Sequence, residues 1–249
     1  MSETQSETSI RIKLPGNKYM PAILRGSLKR PMILMVHGLT GHMNEHIFFN
    51  GARYFDKRGI SSLRVSLYSD SEDSSTRCLT DCTLKTHAED INAALSYLRK
   101  NGAKKVYVLG HSYGGPSIML ADQKLIDGYI LLDASYKPDF IKMFGAKKIS
   151  KNLFKIDWGV EFLVSRKMKD FSEHLDWDAM AKKITKPMLA IYAAKGILKK
   201  STAHYASIAQ GPTKLVGIPN ATHCFDEPGT EEKLFNATIK WIQSLKKSR

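Results

Sequence analysis

Ten residues near the middle of the chain admit very few folds. The apolar run Val106-Tyr107-Val108-Leu109 leads directly into Gly110-His111-Ser112-Tyr113-Gly114-Gly115. An apolar run that stops at a G-x-S-x-G pattern takes the backbone from strand to helix in one sharp, strained turn. Only small residues two positions either side of Ser112 let the chain fold that tightly. The helix that follows would present unpaired N–H groups where negative charge forms if the Ser112 hydroxyl attacked a carbonyl. The flank upstream agrees: Ile91, Ala94, Leu95 and Leu98 sit at helical spacing, and Asn101-Gly102 reads as a stop. A serine that merely capped a helix would leave the flanking glycines unexplained. The pattern therefore points to a nucleophile elbow and to acyl transfer at Ser112.

Similar apolar runs recur with helical segments between them, at Met32–Val36, Ser62–Leu67, Tyr129–Leu132, Met188–Ala193 and Leu215–Ile218. This alternation predicts an α/β fold with a mostly parallel sheet covered on both faces. Ser9–Leu14 and Met20–Arg25 flank Pro15-Gly16-Asn17 and predict an antiparallel hairpin at one edge. The strand rhythm stops between Ala134 and Pro187, too long a stretch for an ordinary connection. There aromatic and aliphatic residues mix with lysines, as expected of short amphipathic helices laid over something. The expected organisation is a core of residues 1–134 and 187–249, with residues 135–186 as an inserted helical cap. At 249 residues, a second full domain is not expected.

No run approaches the roughly 18 apolar residues of a membrane span, and Met1–Thr8 is polar and acidic, so the expectation is an untargeted, cytoplasmic protein. Cys78, Cys82 and Cys224 are an odd count with no metal-ligand spacing and read as free thiols. The net charge of +14 would suit a nucleic-acid or anionic-membrane partner. Its distribution argues for a solvated basic surface instead: lysines run from Lys13 to Lys247 in short pairs such as Lys147-Lys148, Lys182-Lys183, Lys199-Lys200 and Lys246-Lys247. No nucleic-acid motif accompanies them. Attraction of anionic substrates stays open. The expected partner is a small-molecule ester, with no nucleic acid, no cofactor and no metal; the oligomeric state is not legible.

Serine chemistry needs a general base, and histidine has the matching pKa. His223 lies just past the final expected strand, on the loop before a helix expected over Glu231–Leu245. A histidine there is brought over the serine turn in the chain order serine, acid, histidine. His37-Gly38-Leu39-Thr40-Gly41 follows the strand Met32–Val36, where glycines let a backbone N–H face the serine. The N–H groups of Leu39 and Tyr113 are the expected oxyanion hole. A metal on His37, His42 and His46 would lack any acidic or cysteine partner at suitable spacing except Glu45.

With these motifs the chain resembles the α/β-hydrolase superfamily. Within it the resemblance is to small carboxylesterases, cinnamoyl or feruloyl esterases and monoacylglycerol lipases, which carry a His-Gly-x-Thr-Gly or similar loop and a Gly-His-Ser-x-Gly-Gly turn. It covers roughly Met32 to the C-terminus. It implies the α/β-hydrolase fold, a sheet of about eight strands flanked by helices with a cap after the sixth, and ester, thioester or amide hydrolysis through a covalent acyl-enzyme. Two departures stand out. Arg64–Ser71 is a loose version of the family's Asp-x-x-Gly-x-Gly-x-Ser segment. More seriously, Gly196 stands where the resemblance expects the triad acid.

An acid is wanted to hold the imidazole in its productive tautomer. Asp133, at the end of the neighbouring strand, is the best substitute, because some members of the fold supply their acid from that strand end. The competing reading makes Asp133 a cap for the segment that follows. Asp226 and Glu227 would have to turn back on their own loop. Two functions follow: a serine carboxylesterase using Ser112, His223 and Asp133, or a catalytically weak or inactive binding protein that lacks its acid.

Overall fold

The computed structural model describes residues 7–69 and 76–247. Met1–Ser6 of the acidic N-terminus, and Asp70 and Ser71 of the loose loop, lie outside the described residues, and Lys246-Lys247 is described only as helix backbone.

The strands in chain order are β1 (Glu7–Lys13), β2 (Tyr19–Arg25), β3 (Met32–Val36), β4 (Ser61–Val65), β5 (Val106–His111), β6 (Gly128–Leu132), β7 (Lys147–Lys148), β8 (Leu153–Asp157), β9 (Glu161–Ser165), β10 (Met188–Ala193) and β11 (Thr213–Ile218). The helices are α1 (His46–Asp56), α2 (Leu84–Lys100), α3 (Gly114–Met119), α4 (Arg166–His174), α5 (Trp177–Lys182), α6 (Lys199–Ile208) and α7 (Thr230–Lys247). Eight strands form one sheet in the order β1-β2-β4-β3-β5-β6-β10-β11. The two pairings made by β2 are antiparallel and the rest are parallel. The β1–β2 hairpin turns through Gly16 and Asn17, both at positive φ.

Side-chain alternation splits each central strand between two cores. Met32, Leu34 and Val36 of β3 and Val106 and Val108 of β5 face one side, where Ile91, Leu95 and Leu98 of α2 cover them. Ile33, Met35, Tyr107 and Leu109 face the other, against Phe48 and Phe55 of α1 and Leu234, Phe235 and Ile242 of α7. Burial on both faces makes these strands continuous apolar runs. Helix α2 starts at a reciprocal cap, with Thr86 N–H donating to Thr83 Oγ1 and Thr83 N–H donating to Thr86 Oγ1. It ends before Gly102 at φ +93°, the stop expected from sequence.

The segment expected to be a helical cap is only half helical. Its first part is a small antiparallel sheet, β7-β8-β9, and α4 and α5 follow. Phe154 and Ile156 of β8 point inward while Leu153, Lys155 and Asp157 are less buried, a period of two. Gly159, at φ +86°, makes the turn into β9. Phe140, Phe154, Ile156, Val164, Met168 and Trp177 from this segment join the sheet's own buried cluster. Because β3, β5, β6, β10 and β11 are parallel, their carboxyl ends share one edge, and the chain reverses its direction of travel across the sheet between β3 and β5. That is where α/β folds place ligands.

Candidate active site

Ser112 follows β5 at φ +54°, and α3 begins two residues later. The glycines around it answer to contacts. A Cβ on Gly110 would collide with the carbonyl of Gly114; one on Gly114 would lie 2.6 Å from His37 O, and one on Gly115 2.6 Å from Ala134 Cβ. Backbone bonds tie the turn to the end of β6: Ser112 N donates to Leu132 O at 2.9 Å, and Ser135 N to Ser112 O at 3.1 Å.

Asp133 directly follows β6, fully buried and at φ +40°. Its Oδ2 accepts from His223 Nδ1 at 2.7 Å and its Oδ1 from Ala193 N at 3.2 Å. The carboxylate faces the histidine loop and does not cap the next segment. Gly196 explains why there is room. A Cβ at Gly196 would sit 2.9 Å from Asp133 Oδ2 and 2.9 Å from Ala193 Cβ. The absent side chain at 196 and the carboxylate at 133 thus occupy one space in turn. Glu227 instead accepts from Thr222 N, at 2.9 and 3.0 Å, and Asp226 Oδ1 lies 3.5 Å from Thr222 Oγ1. Glu227 braces the loop's backbone and Asp226 the Thr222 hydroxyl. Asn220 and Phe225, at positive φ, bend the loop on either side of His223.

The loop after β3 is held from behind. His37 donates from Nδ1 to Gly38 O at 2.8 Å and accepts at Nε2 from Leu67 N at 2.9 Å. Burial pushes His37 down to about 4, so the ring is neutral at pH 7. Tyr68 Oη also donates to Gly38 O, at 3.0 Å. In a trans peptide the C=O and the next N–H point opposite ways, so anchoring Gly38 O fixes the direction of Leu39 N–H. Among the described residues neither Leu39 N–H nor Tyr113 N–H donates to a protein acceptor. His42 and His46 go elsewhere, His42 Nδ1 accepting from Asn44 N and His46 pairing with Glu231.

A cavity of about 360 Å³ joins these parts, with Ser112, His223, Leu39 and Tyr113 in its wall. Met143, Phe144, Trp158, Ile197 and Leu198 make much of the rest apolar. Among the described residues no hydrogen bond links Ser112 to His223; Ser112 Oγ lies 3.4 Å from Ser135 Oγ. Such links are often long before substrate binds.

Three site residues escape sequence reasoning. Ser135 has no motif of its own. His111 lies within the serine motif, yet only the fold brings its Nε2 to donate to His223 O at 2.9 Å. Burial and the neighbouring His223 push His111 down to about 3. Glu45 lines the cavity with one carboxylate oxygen buried and, among the described residues, without a partner, and burial pushes it up to about 7.

The family model for the alpha/beta hydrolase fold matches residues 31–153. Est1E from Butyrivibrio proteoclasticus, solved with ferulic acid bound, is similar with a TM-score of 0.81 at 23% identity, covering 94% of this chain and 98% of that one. A dienelactone hydrolase from Anabaena variabilis is similar at a TM-score of 0.69 and 15% identity, covering 96% and 98%. Alpha/beta hydrolase domain-containing protein 10 from mouse gives 0.75 and 15%, covering 96% and 99%. No curated protein matches the chain in sequence. With the serine turn, the histidine loop and the eight-stranded sheet set out above, the chain has the alpha/beta hydrolase fold, and the solved structures it is similar to include esterases.

Proposed function

We propose that the protein is a serine hydrolase that cleaves carboxylic esters through an acyl-enzyme on Ser112. The observation that carries this reading is the 2.7 Å contact between His223 Nδ1 and the buried carboxylate of Asp133, at a cavity that also holds Ser112. Asp133 accepts a hydrogen bond from His223 Nδ1–H, which keeps the proton on Nδ1 and leaves the Nε2 lone pair free for the serine proton. Ser112 Oγ bonds to the ester carbon as its proton passes to His223 Nε2, and the carbonyl oxygen takes up negative charge facing Leu39 N–H and Tyr113 N–H. The C–O bond to the alcohol then breaks, and His223 returns the proton to the departing oxygen. Water, deprotonated by the same histidine, attacks the acyl carbon and releases the acid and free Ser112.

The apolar wall suits an apolar or aromatic group on one side of the ester, and the ferulic acid recorded with Est1E makes a hydroxycinnamate ester a sensible member of the first substrate series. The test is hydrolysis of short p-nitrophenyl esters and methyl ferulate, together with fluorophosphonate labelling of Ser112. Turnover and labelling, both lost in Ser112→Ala, are expected. A protein that neither turns over an ester nor takes the label would overturn the reading. The binding-protein alternative rests on Gly196; the carboxylate of Asp133 beside that glycine supports the hydrolase reading instead.

A further inference from the structure

The cavity opens on a surface with an unusual make-up. Six of the nine large apolar side chains exposed among the described residues, Ile141, Met143, Ile149, Trp158, Val160 and Ile197, lie on two stretches that contribute to the cavity wall. Trp158 is 49% exposed, Val160 76% and Ile197 81%. These positions come from two separated stretches, the segment carrying β7–β9 and the loop between β10 and α6. Both stretches meet in the cavity wall, through Met143, Trp158 and Ile197.

The patch is braced. Phe140, Phe144, Trp158 and Phe162 stack edge to face in series, with ring centroids 5.1, 5.3 and 5.0 Å apart. Trp158 Nε1 also donates to Phe144 O at 3.3 Å. A rigid aromatic projection keeps its apolar surface outward, and Val160 at the neighbouring turn extends it.

Lysines outnumber acids on these stretches. Lys142, Lys147, Lys148, Lys151, Lys195 and Lys200 are exposed, and among the described residues none makes an ion pair. Acids are fewer and partly engaged: Asp139 accepts from Ile141 N and Lys142 N, Asp157 from Gly159 N, Glu161 pairs with Lys155, and Glu227 lies within electrostatic reach of Lys195. An apolar projection on stretches with an excess of exposed ammonium groups complements a surface that is apolar beneath and anionic above. An interfacial tryptophan with flanking lysines is how proteins seat on such a layer. An acidic protein partner would match the lysines but would not require an aliphatic tip such as Val160.

We infer that this rim docks the protein on an anionic lipid surface, with Trp158, Val160 and Ile149 entering the headgroup region and the lysines holding phosphates, so that the cavity mouth faces the lipid. The inference goes beyond ester hydrolysis and stands apart from it, since docking is read without turnover.

The test is flotation of the chain with vesicles of phosphatidylcholine alone, and with vesicles in which roughly a third of the lipid is phosphatidylglycerol. Trp177 and Trp241 are 1% and 4% exposed, so a blue shift of intrinsic emission on binding reports on Trp158. Binding is expected to the anionic vesicles with a blue shift, and to weaken at least about tenfold in Val160→Asp with Ile149→Asp and in Lys147→Glu with Lys148→Glu. Leu215→Asp, at an exposed apolar site on β11 away from the mouth, is expected to bind as wild type. Val160→Ser with Ile149→Ser, a milder pair, should fall between, and circular dichroism checks that each variant is folded. Absence of binding to anionic vesicles overturns the inference. So does binding lost with the lysines but kept in the Asp pair, which would be mere charge attraction, and so does an equal loss in Leu215→Asp.

Discussion

Asp133→Asn tests the proposed chemistry at its most exposed point, because the change preserves volume and tolerates the residue's φ of +40°. Asp133 meets two donors with two acceptors: His223 Nδ1–H at 2.7 Å and Ala193 N–H at 3.2 Å. An asparagine has one acceptor oxygen. If that oxygen keeps Ala193 N–H, the amide NH2 faces His223 and demands a lone pair at Nδ1, which puts the proton on Nε2 and removes the base from Ser112. A wrong tautomer of this kind costs a serine enzyme about 10⁴ in kcat, roughly 5 kcal/mol of barrier. The assay is kcat and KM on p-nitrophenyl acetate, with the fluorophosphonate labelling rate as a second readout; kcat is expected to fall by that order with KM little changed. Gly196 supplies an internal control. Gly196→Asp alone should depress kcat, since its Cβ would press on Asp133 Oδ2 and add a second negative charge. Asp133→Gly with Gly196→Asp should recover at least about 100-fold over Asp133→Gly, because coupled neighbours are not additive. An Asp133→Asn enzyme within about tenfold of wild type would refute the assignment, since no working triad loses its acid so cheaply.

Tyr68→Phe removes one of two donors on Gly38 O and should lower kcat by roughly three- to tenfold, about 1 kcal/mol, while leaving labelling of Ser112 intact; steady-state kinetics decide. Gly110→Ala should reduce the yield of folded protein or the melting temperature sharply, because its Cβ has no space beside the Gly114 carbonyl, and calorimetry reads this directly. Glu45 titrates near 4.5 when unfolded and near 7 in the fold, so the folded state keeps its proton longer. Its contribution is fully present below pH 4.5 and is lost as pH rises through about 7. Glu45→Gln should therefore gain stability relative to wild type between those values, by at most ~3 kcal/mol at pH 8, in urea titrations run across that range. A parallel pH dependence in the two proteins would show that Glu45 is not desolvated.

The strands at Met32–Val36 and Met188–Ala193 are legible in sequence because burial on both faces leaves nothing but apolar residues in a row. The serine turn is legible because its glycines answer to backbone collisions that no other residue avoids. Residues 153–157 are not, since one period-two strand of five residues carries too few alternations to stand out among the surrounding aromatics. Asp133 is half legible, as a lone acid closing the apolar run Tyr129–Leu132. What sequence hides is its fit to Gly196, sixty-three positions on: that relation is one of volume between two strand ends. Ser135, His111 and Glu45 acquire meaning only from neighbours distant along the chain.

The left-handed backbone at Thr40, Ser112 and Asp133 bears on how this protein could evolve. Side chains in that conformation cost on the order of 1 kcal/mol each, and glycine would relieve the cost. Variants chosen for heat resistance alone would thus drift first toward glycine at these three positions, yielding sturdier molecules with an empty workshop. Thr40 and Ser112 line the cavity and Asp133 lies behind it against His223, so the strain is held where the proposed chemistry needs fixed geometry.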